Sequence, residues 1–485
     1  MRRKSNDNRD AWRSFYEKGE RFVERTGEHI LQGVNPGGVY QAIWCRDASY
    51  ILRDWFMCGN MDGTLQQIFQ IWSHQIAPNR DKIVFGRGSP DMNFLAEVAE
   101  EETEKRFAGA LPTTIYQAGF SEVYGKDPDI DSTALMISTT SWILTASLTR
   151  KEKDFSSSEG LKQATIATEH SSSYVSTLLS KIGITQPSKV ADYVIPRMLK
   201  SVEYLLKRDS DNDDLLEQGH NEDWMDTALR SGKIVYSQAC WILALSDLSV
   251  LLSKIDRESD AKRISKLAHR AIQGVERTLW SKENNCYLDM HQKNYDSKDR
   301  ILTEDISLYL IAVTDNTHRN SLKMIHTVYD SPNAGSMQLN YLNEEMTERA
   351  MRTLEAIKTR AWKEKWPLIT ERELVATGPW VLKPYEYHNH TFWPWITGLE
   401  ILARSRFEKA EDCEYLLSKL ASEGHPHIHA FYEWINPIND QENGAYPFRT
   451  GISAIRIAIA DILAKRKRNK SSENAIDNDL GSLHQ

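Results

Sequence analysis

Four segments of this 485-residue chain set carboxylates or amides beside aromatic rings, a combination able to move protons and hold hydroxyl groups. The first is Trp44-Cys45-Arg46-Asp47, at the head of an apolar stretch. Asp47 has the type and place of a helix cap. With Arg46 it also makes a fixed donor–acceptor pair. In the second, Asp129 and Asp131 close the loop Gly125–Asp131 ahead of another apolar stretch, and capping accounts for them equally well. The third, His220-Asn221-Glu222-Asp223-Trp224-Met225-Asp226, has more carboxylates than capping needs. A general acid must be a carboxyl whose pKa is raised by apolar surroundings or nearby negative charge, and this segment holds both; a solvated acidic loop is the plainer reading. The fourth comprises Tyr387-His388-Asn389 with Trp393 and Trp395, and, further on, Tyr432-Glu433-Trp434. Glu433 lies between two aromatic rings, an unusual setting for a surface glutamate and a suitable one for a base that activates water.

Other chemistries find less support. No GxSxG elbow, Walker loop or dinucleotide fingerprint is present. His425, His427 and His429 alternate as metal ligands on a strand would, without an accompanying cysteine or carboxylate signature, so neither metal nor cofactor is expected. The net charge of -8 argues against nucleic acid as a partner. The basic first residues lead into no apolar core of a leader, and no run approaches the roughly 18 apolar residues of a spanning helix, so no membrane partner is expected. Five scattered cysteines suit reduced thiols and a cytoplasmic setting.

The elements that must position these groups are helical. Asp47–Met57, Ser132–Leu148, Ser237–Leu252, Ala261–Leu279 and Ile452–Leu463 repeat apolar residues every three or four positions, and strands are few and short. Between them lie loops rich in Gly, Pro, Asn and Asp. About a dozen such helices fit one large all-α domain over residues 1–464. A Ser/Thr-rich stretch near 155–177 reads as an insertion, and 465–485 as a basic, polar, disordered tail.

In order and wording the clusters resemble the six-hairpin (α/α)6 glycoside hydrolases, most of all the amylo-α-1,6-glucosidase domain of glycogen debranching enzymes. Glucoamylases, processing α-glucosidase I relatives and alkaline invertases are more distant kin. Trp44-Cys45-Arg46-Asp47 is similar to the family's W-x-R-D, and Gly109-Ala110-Leu111-Pro112 with Asp129-Ile130-Asp131 to a stretch lining its pocket. Trp224-Met225-Asp226 with Arg230-Ser231-Gly232-Lys233 resembles W-M-D … R-x-G-K, and Tyr387-His388-Asn389-His390 through Trp393-Pro394 resembles Y-H-N-G-x-x-W-P. His390 replaces the usual glycine, and the stretch after Trp434 lacks the debranching family's G-C-x-x-Q-A-W.

The resemblance implies an (α/α)6 barrel, Asp226 as general acid and Glu433 as general base, about 6.5–9.5 Å apart if the reaction inverts. It implies a carbohydrate site drawing on Trp44, Arg46, Asp47, Asp131, Trp224, Lys233, His388, Asn389, Trp393 and Trp434. The expected substrate is a terminal α-linked glucose. Two alternatives stay open at this point: an (α/α)6 epimerase or polysaccharide lyase, and a non-catalytic glycan-binding scaffold whose carboxylates need not converge.

Overall fold

Three stretches, Ile130–Thr149, Val235–Lys254 and Ser307–Thr314, are apolar or uncharged around nearly their whole circumference, a composition that only complete burial accommodates. The stretches Glu258–Thr278 and Glu344–Arg360 instead carry one apolar stripe and an otherwise charged surface. The first kind builds an inner layer and the second an outer one. The computed structural model describes residues 2–78, 82–86, 97–116, 119–149, 186–292, 300–314, 341–363, 365–374, 381–421 and 428–482. The Ser/Thr-rich stretch near 155–177 lies outside them.

Among the described residues the helices are α1 (Arg2–Ile30), α2 (Cys45–Met57), α3 (Met61–Ser73), α4 (Glu101–Phe107), α5 (Ile130–Thr149), α6 (Pro187–Leu206) and α7 (Val235–Lys254). They continue with α8 (Glu258–Thr278), α9 (Ser307–Thr314), α10 (Glu344–Arg360), α11 (Pro394–Arg406), α12 (Ala410–Leu420) and α13 (Arg449–Ser482). Packing follows a ring: α2 on α5, α5 on α7, α7 on α9, α9 on α11, α11 on α13, and α13 back on α2. In chain order each of these six inner helices is preceded by an outer one, namely α1, α3, α6, α8, α10 and α12. The architecture is an (α/α)6 barrel of six helical hairpins. Helix α7 is long and apolar enough to cross a membrane by composition, but it belongs to the inner ring and is 94% buried.

Buried ion pairs hold the ring closed. Arg456 on α13 donates to Asp54 on α2 at 2.9 Å and to Thr26 Oγ1 on α1 at 3.0 Å, across the seam where the last inner helix meets the first. Glycine makes a second close approach: a Cβ at Gly398 on α11 would stand 2.9 Å from Ile455 Cγ1 on α13.

Residues 2–30 form an outer helix that closes the ring, although their charge hides the apolar stripe of Phe15, Phe22 and Ile30. Helix α13 continues to Ser482.

Candidate active site

The inner helices all begin at one end of the barrel, and short strands or turns lead into them. Ile43–Trp44 pairs with Thr114–Ile115 just before α2, Lys233–Ile234 pairs with Met290–His291 before α7, and the turn Glu304–Ile306 runs into α9. Since side chains at an inner N-terminus face the barrel axis, the loops at this end are where distant residues meet. They enclose a pocket lined by seven aromatic rings: Tyr40, Trp44, Trp224, Tyr387, Trp393, Trp395 and Phe448. Its charged groups are Arg46, Asp47, Asp226 and Glu433, with Pro36 and His388 completing the lining.

Asp226 and Glu433 thus share one pocket, and their settings differ. The side chain of Asp226 is 20% exposed, and no donor among the described residues is hydrogen-bonded to it. Burial pushes its pKa up to about 7; the Arg46 charge opposes this, while Asp223, Glu433 and Asp131 add to it. Asp226 can therefore keep its proton at pH values where an ordinary aspartate is ionised. His388 stands beside it, with Nδ1 3.7 Å from Asp226 Oδ1 and 2.8 Å from the Thr227 hydroxyl. Burial, with the charges of Arg230 and Arg46, holds the imidazole well below its usual pKa and so neutral. The ring stacks on Trp393 at 4.7 Å.

Glu433 is instead held as an acceptor. Tyr40 donates its hydroxyl to Oε1 at 2.7 Å, Tyr387 donates to the same oxygen at 3.3 Å, and the Ala445 N–H donates to Oε2 at 2.8 Å. Burial raises its pKa above the ordinary carboxylate value, and these three donors offset part of that rise by favouring the ionised form. Gly444 makes the arrangement possible: it adopts a φ of +78°, and a Cβ there would lie 2.4 Å from Glu433 Oε2.

Arg46 and Asp47 form the third part of the site. Arg46 Nη2 pairs with Asp47 Oδ2 at 3.2 Å, and Thr450 Oγ1 on α13 donates to Asp47 Oδ1 at 2.6 Å. Asp131 lies behind Arg46, 3.6 Å from Nη1, and does not line the pocket. The pair is fixed from both sides, as a recognition element for hydroxyls requires.

The other expected site residues divide. Trp44, Trp224, His388 and Trp393 line the pocket with the groups above. Lys233 stands outside it, where its ammonium bridges Asp211 at 2.7 Å and Asp213 at 2.5 Å. Asn389 is buried and braces a loop, accepting the Leu374 N–H at 2.7 Å and donating to the Leu382 carbonyl at 3.3 Å. Trp434 packs edge-on to Tyr387 with ring centres 6.3 Å apart, away from the pocket lining. His425 and His427 lie outside the described residues; His429 pairs with Glu442 at 2.8 Å. Sequence reasoning passed over Tyr40 and Phe448 and quoted Tyr387 and Trp395 without assigning them a role. The signal for Tyr40 was Gly37-Gly38, two glycines with φ of +99° and +56° that turn the chain beneath it.

No protein-family model matches the chain, and comparison with curated protein sequences gives no match. Solved structures do match. The GH63 mannosylglycerate hydrolase from Thermus thermophilus, in complex with glucose, aligns over 91% of this chain and 99% of its own, with a TM-score of 0.52 and 14% identity. The same enzyme in complex with Tris and D-glycerate aligns over the same shares, with a TM-score of 0.52 and 15% identity. The glucoamylase from Saccharomycopsis fibuligera aligns over 92% of this chain and 95% of its own, with a TM-score of 0.56 and 13% identity. The chain has the fold of the six-hairpin glycosidases. At these identities the likeness speaks for the fold, and the chemistry must be argued from the pocket.

Proposed function

We propose that the protein is an inverting, exo-acting glycoside hydrolase that removes a terminal α-linked glucose, with Asp226 as general acid and Glu433 as general base. The observation that carries this reading is the unlike pair of carboxylates in one aromatic pocket. Asp226, with a pKa near 7, can keep a proton to give, while Glu433, held by two tyrosines and a backbone N–H, is prepared to accept one.

In the proposed step the Asp226 carboxyl donates its proton to the glycosidic oxygen as the bond from that oxygen to the anomeric carbon breaks. A water attacks the opposite face of the anomeric carbon and passes its proton to Glu433. Tyr40 and Tyr387 fix the orientation of the base. Arg46 and Asp47 hold hydroxyls of the terminal sugar, and the rings around them cover its faces. A pocket walled by so many rings at one barrel end suits a chain end better than a chain interior, which favours exo-action. The glucose and D-glycerate complexes of the Thermus enzyme suggest small α-glucosides and α-mannosides, including those of short hydroxy acids, as first substrates to offer. The five unpaired cysteines fit the cytoplasmic setting we include in the proposal.

The test is hydrolysis of such a panel by the wild type, Asp226→Asn and Glu433→Gln. Each variant is expected to lose about 10²–10⁴-fold in kcat with its fold intact, the range general acid–base groups supply. A folded Asp226→Asn that keeps wild-type kcat would remove Asp226 from the mechanism.

A further inference from the structure

The loop that carries Asp226 is fastened on both sides by one buried ionic bridge. Asp223, three residues before it, accepts from Arg230 Nε at 2.9 Å. Arg230, four residues after it, donates through Nη1 to Asp305 Oδ2, also at 2.9 Å. The indole N–H of Trp224 donates to the same Asp305 oxygen at 2.8 Å, and Thr303 Oγ1 donates to the other at 2.6 Å. Asp305 belongs to the turn Glu304–Ile306 that leads into α9, so the loop is anchored to the inner ring itself. Asp223 also accepts the Met225 N–H at 2.8 Å and Gln218 Nε2 at 2.7 Å.

Two carboxylates and one guanidinium, all nearly fully buried, form an expensive arrangement that well-packed apolar residues commonly match for stability. None of the three lines the pocket, but Trp224 does, and its ring stands edge-on to His388, Trp393 and Trp395 with centres 5.1–5.5 Å apart. The bridge thus grips the residues on either side of Asp226 and the aromatic wall beside it.

We propose that Asp223, Arg230 and Asp305 form a positioning bridge that holds the Asp226 carboxyl in its proton-donating geometry, acting through Trp224 and the backbone of residues 223–230. The inference rests on Asp226 being the general acid. Displacement of a reacting group by about 1 Å can cost on the order of 10²-fold in rate. A loosened loop also lets water reach the carboxyl, which lowers its pKa. The charge of Asp223 acts in the same sense, since it helps to keep Asp226 protonated.

Two substrates separate positioning of the acid from general damage: methyl α-D-glucoside, whose leaving group needs a proton, and α-D-glucosyl fluoride, whose fluoride leaves without one. If the wild type cleaves α-mannosides instead, the mannosyl pair replaces them. Asp226→Asn is expected to slow the methyl glycoside about a hundredfold more than the fluoride. Asp305→Asn should follow the same pattern with a differential of about tenfold, little change in KM, and the alkaline limb of its pH profile moved to lower pH. Thr303→Val, which removes one hydrogen bond to Asp305 and leaves the ion pairs in place, should show a smaller differential in the same direction and carry the test if Asp305→Asn does not fold. Folded bridge variants that slow both substrates equally and leave the alkaline limb in place would overturn the proposal. Equal slowing of both substrates by Asp226→Asn would instead overturn the general-acid reading on which it rests.

Discussion

Asp226 and Glu433 sit in the same pocket and are prepared for opposite tasks, and this difference fixes the pH dependence. The acid must be protonated, so kcat/KM should fall as pH rises through about 7. The base must be ionised, so kcat/KM should also fall as pH drops through the raised pKa of Glu433. Tyr40 and Tyr387 favour the ionised base; Tyr40→Phe should therefore raise the Glu433 pKa and move the acid limb to higher pH. A pH–rate profile of the variant beside the wild type checks both limbs. Asp226 also carries a stability penalty. Its folded pKa lies above its ordinary value of 3.8, so ionisation disfavours the folded state at pH values above that ordinary value, and fully so above about 7. Asp226→Asn should thus stabilise the protein by about 1–3 kcal/mol at pH 8 and scarcely at pH 4, as thermal melts at the two pH values would show. What was legible at this scale came from local context. Carboxylates beside aromatic rings are conspicuous in a sequence: Glu433 stands between Tyr432 and Trp434, and Asp226 follows Trp224 in a motif whose resemblance marks it as the acid. Tyr40 and Asp305 were not conspicuous, because their partners Glu433 and Trp224 lie 393 and 81 positions away. Lys233 belongs to a motif beside the pocket, but its charge is taken up by Asp211 and Asp213.

At the scale of the elements, sequence pattern and structure agree where burial is extreme. Helices α5 and α7 read as helices from apolar periodicity alone, and their lack of surface charge follows from their place in the inner ring. The outer α1 was not legible, since its three buried rings and aliphatics are outnumbered by charges that only the assembled barrel leaves facing solvent. Closure of that barrel depends on a seam that no local pattern reveals. Arg456→Met would leave Asp54, fully buried, without its partner, and is expected to cost about 3–5 kcal/mol in denaturant unfolding. The double variant Asp54→Leu/Arg456→Met should recover much of that loss, because an apolar pair of similar volume needs no compensating charge. Gly444 is the counterpart at the site: Gly444→Ala pushes a methyl against the Glu433 carboxylate and should lower kcat about tenfold or more with little change in melting temperature.

For the molecule as a whole, the ring of inner helices explains why residues from 36 to 448 meet. Six hairpins place six inner N-termini at one barrel end, and four of them bring groups to the pocket: Arg46 and Asp47 in the first turn of α2, Asp226 ahead of α7, His388 and Trp393 ahead of α11, and Glu433 ahead of α13, while Asp131 and Asp305 stand outside its lining. The order of motifs along the sequence is therefore the order of walls around the pocket, which is why motif order was informative when no single motif was. The substrate's second half was not legible, since loops carry no periodic pattern that places their residues. The inverting assignment of Asp226 and Glu433 is tested most directly by proton NMR of the first sugar released from an α-glucoside by the wild-type protein. β-Glucose is expected to appear first and to mutarotate only later, with no such signal from Asp226→Asn. Initial release of α-glucose would contradict the assignment, because a retained configuration requires Glu433 to act as a nucleophile on the sugar and not as a base toward water.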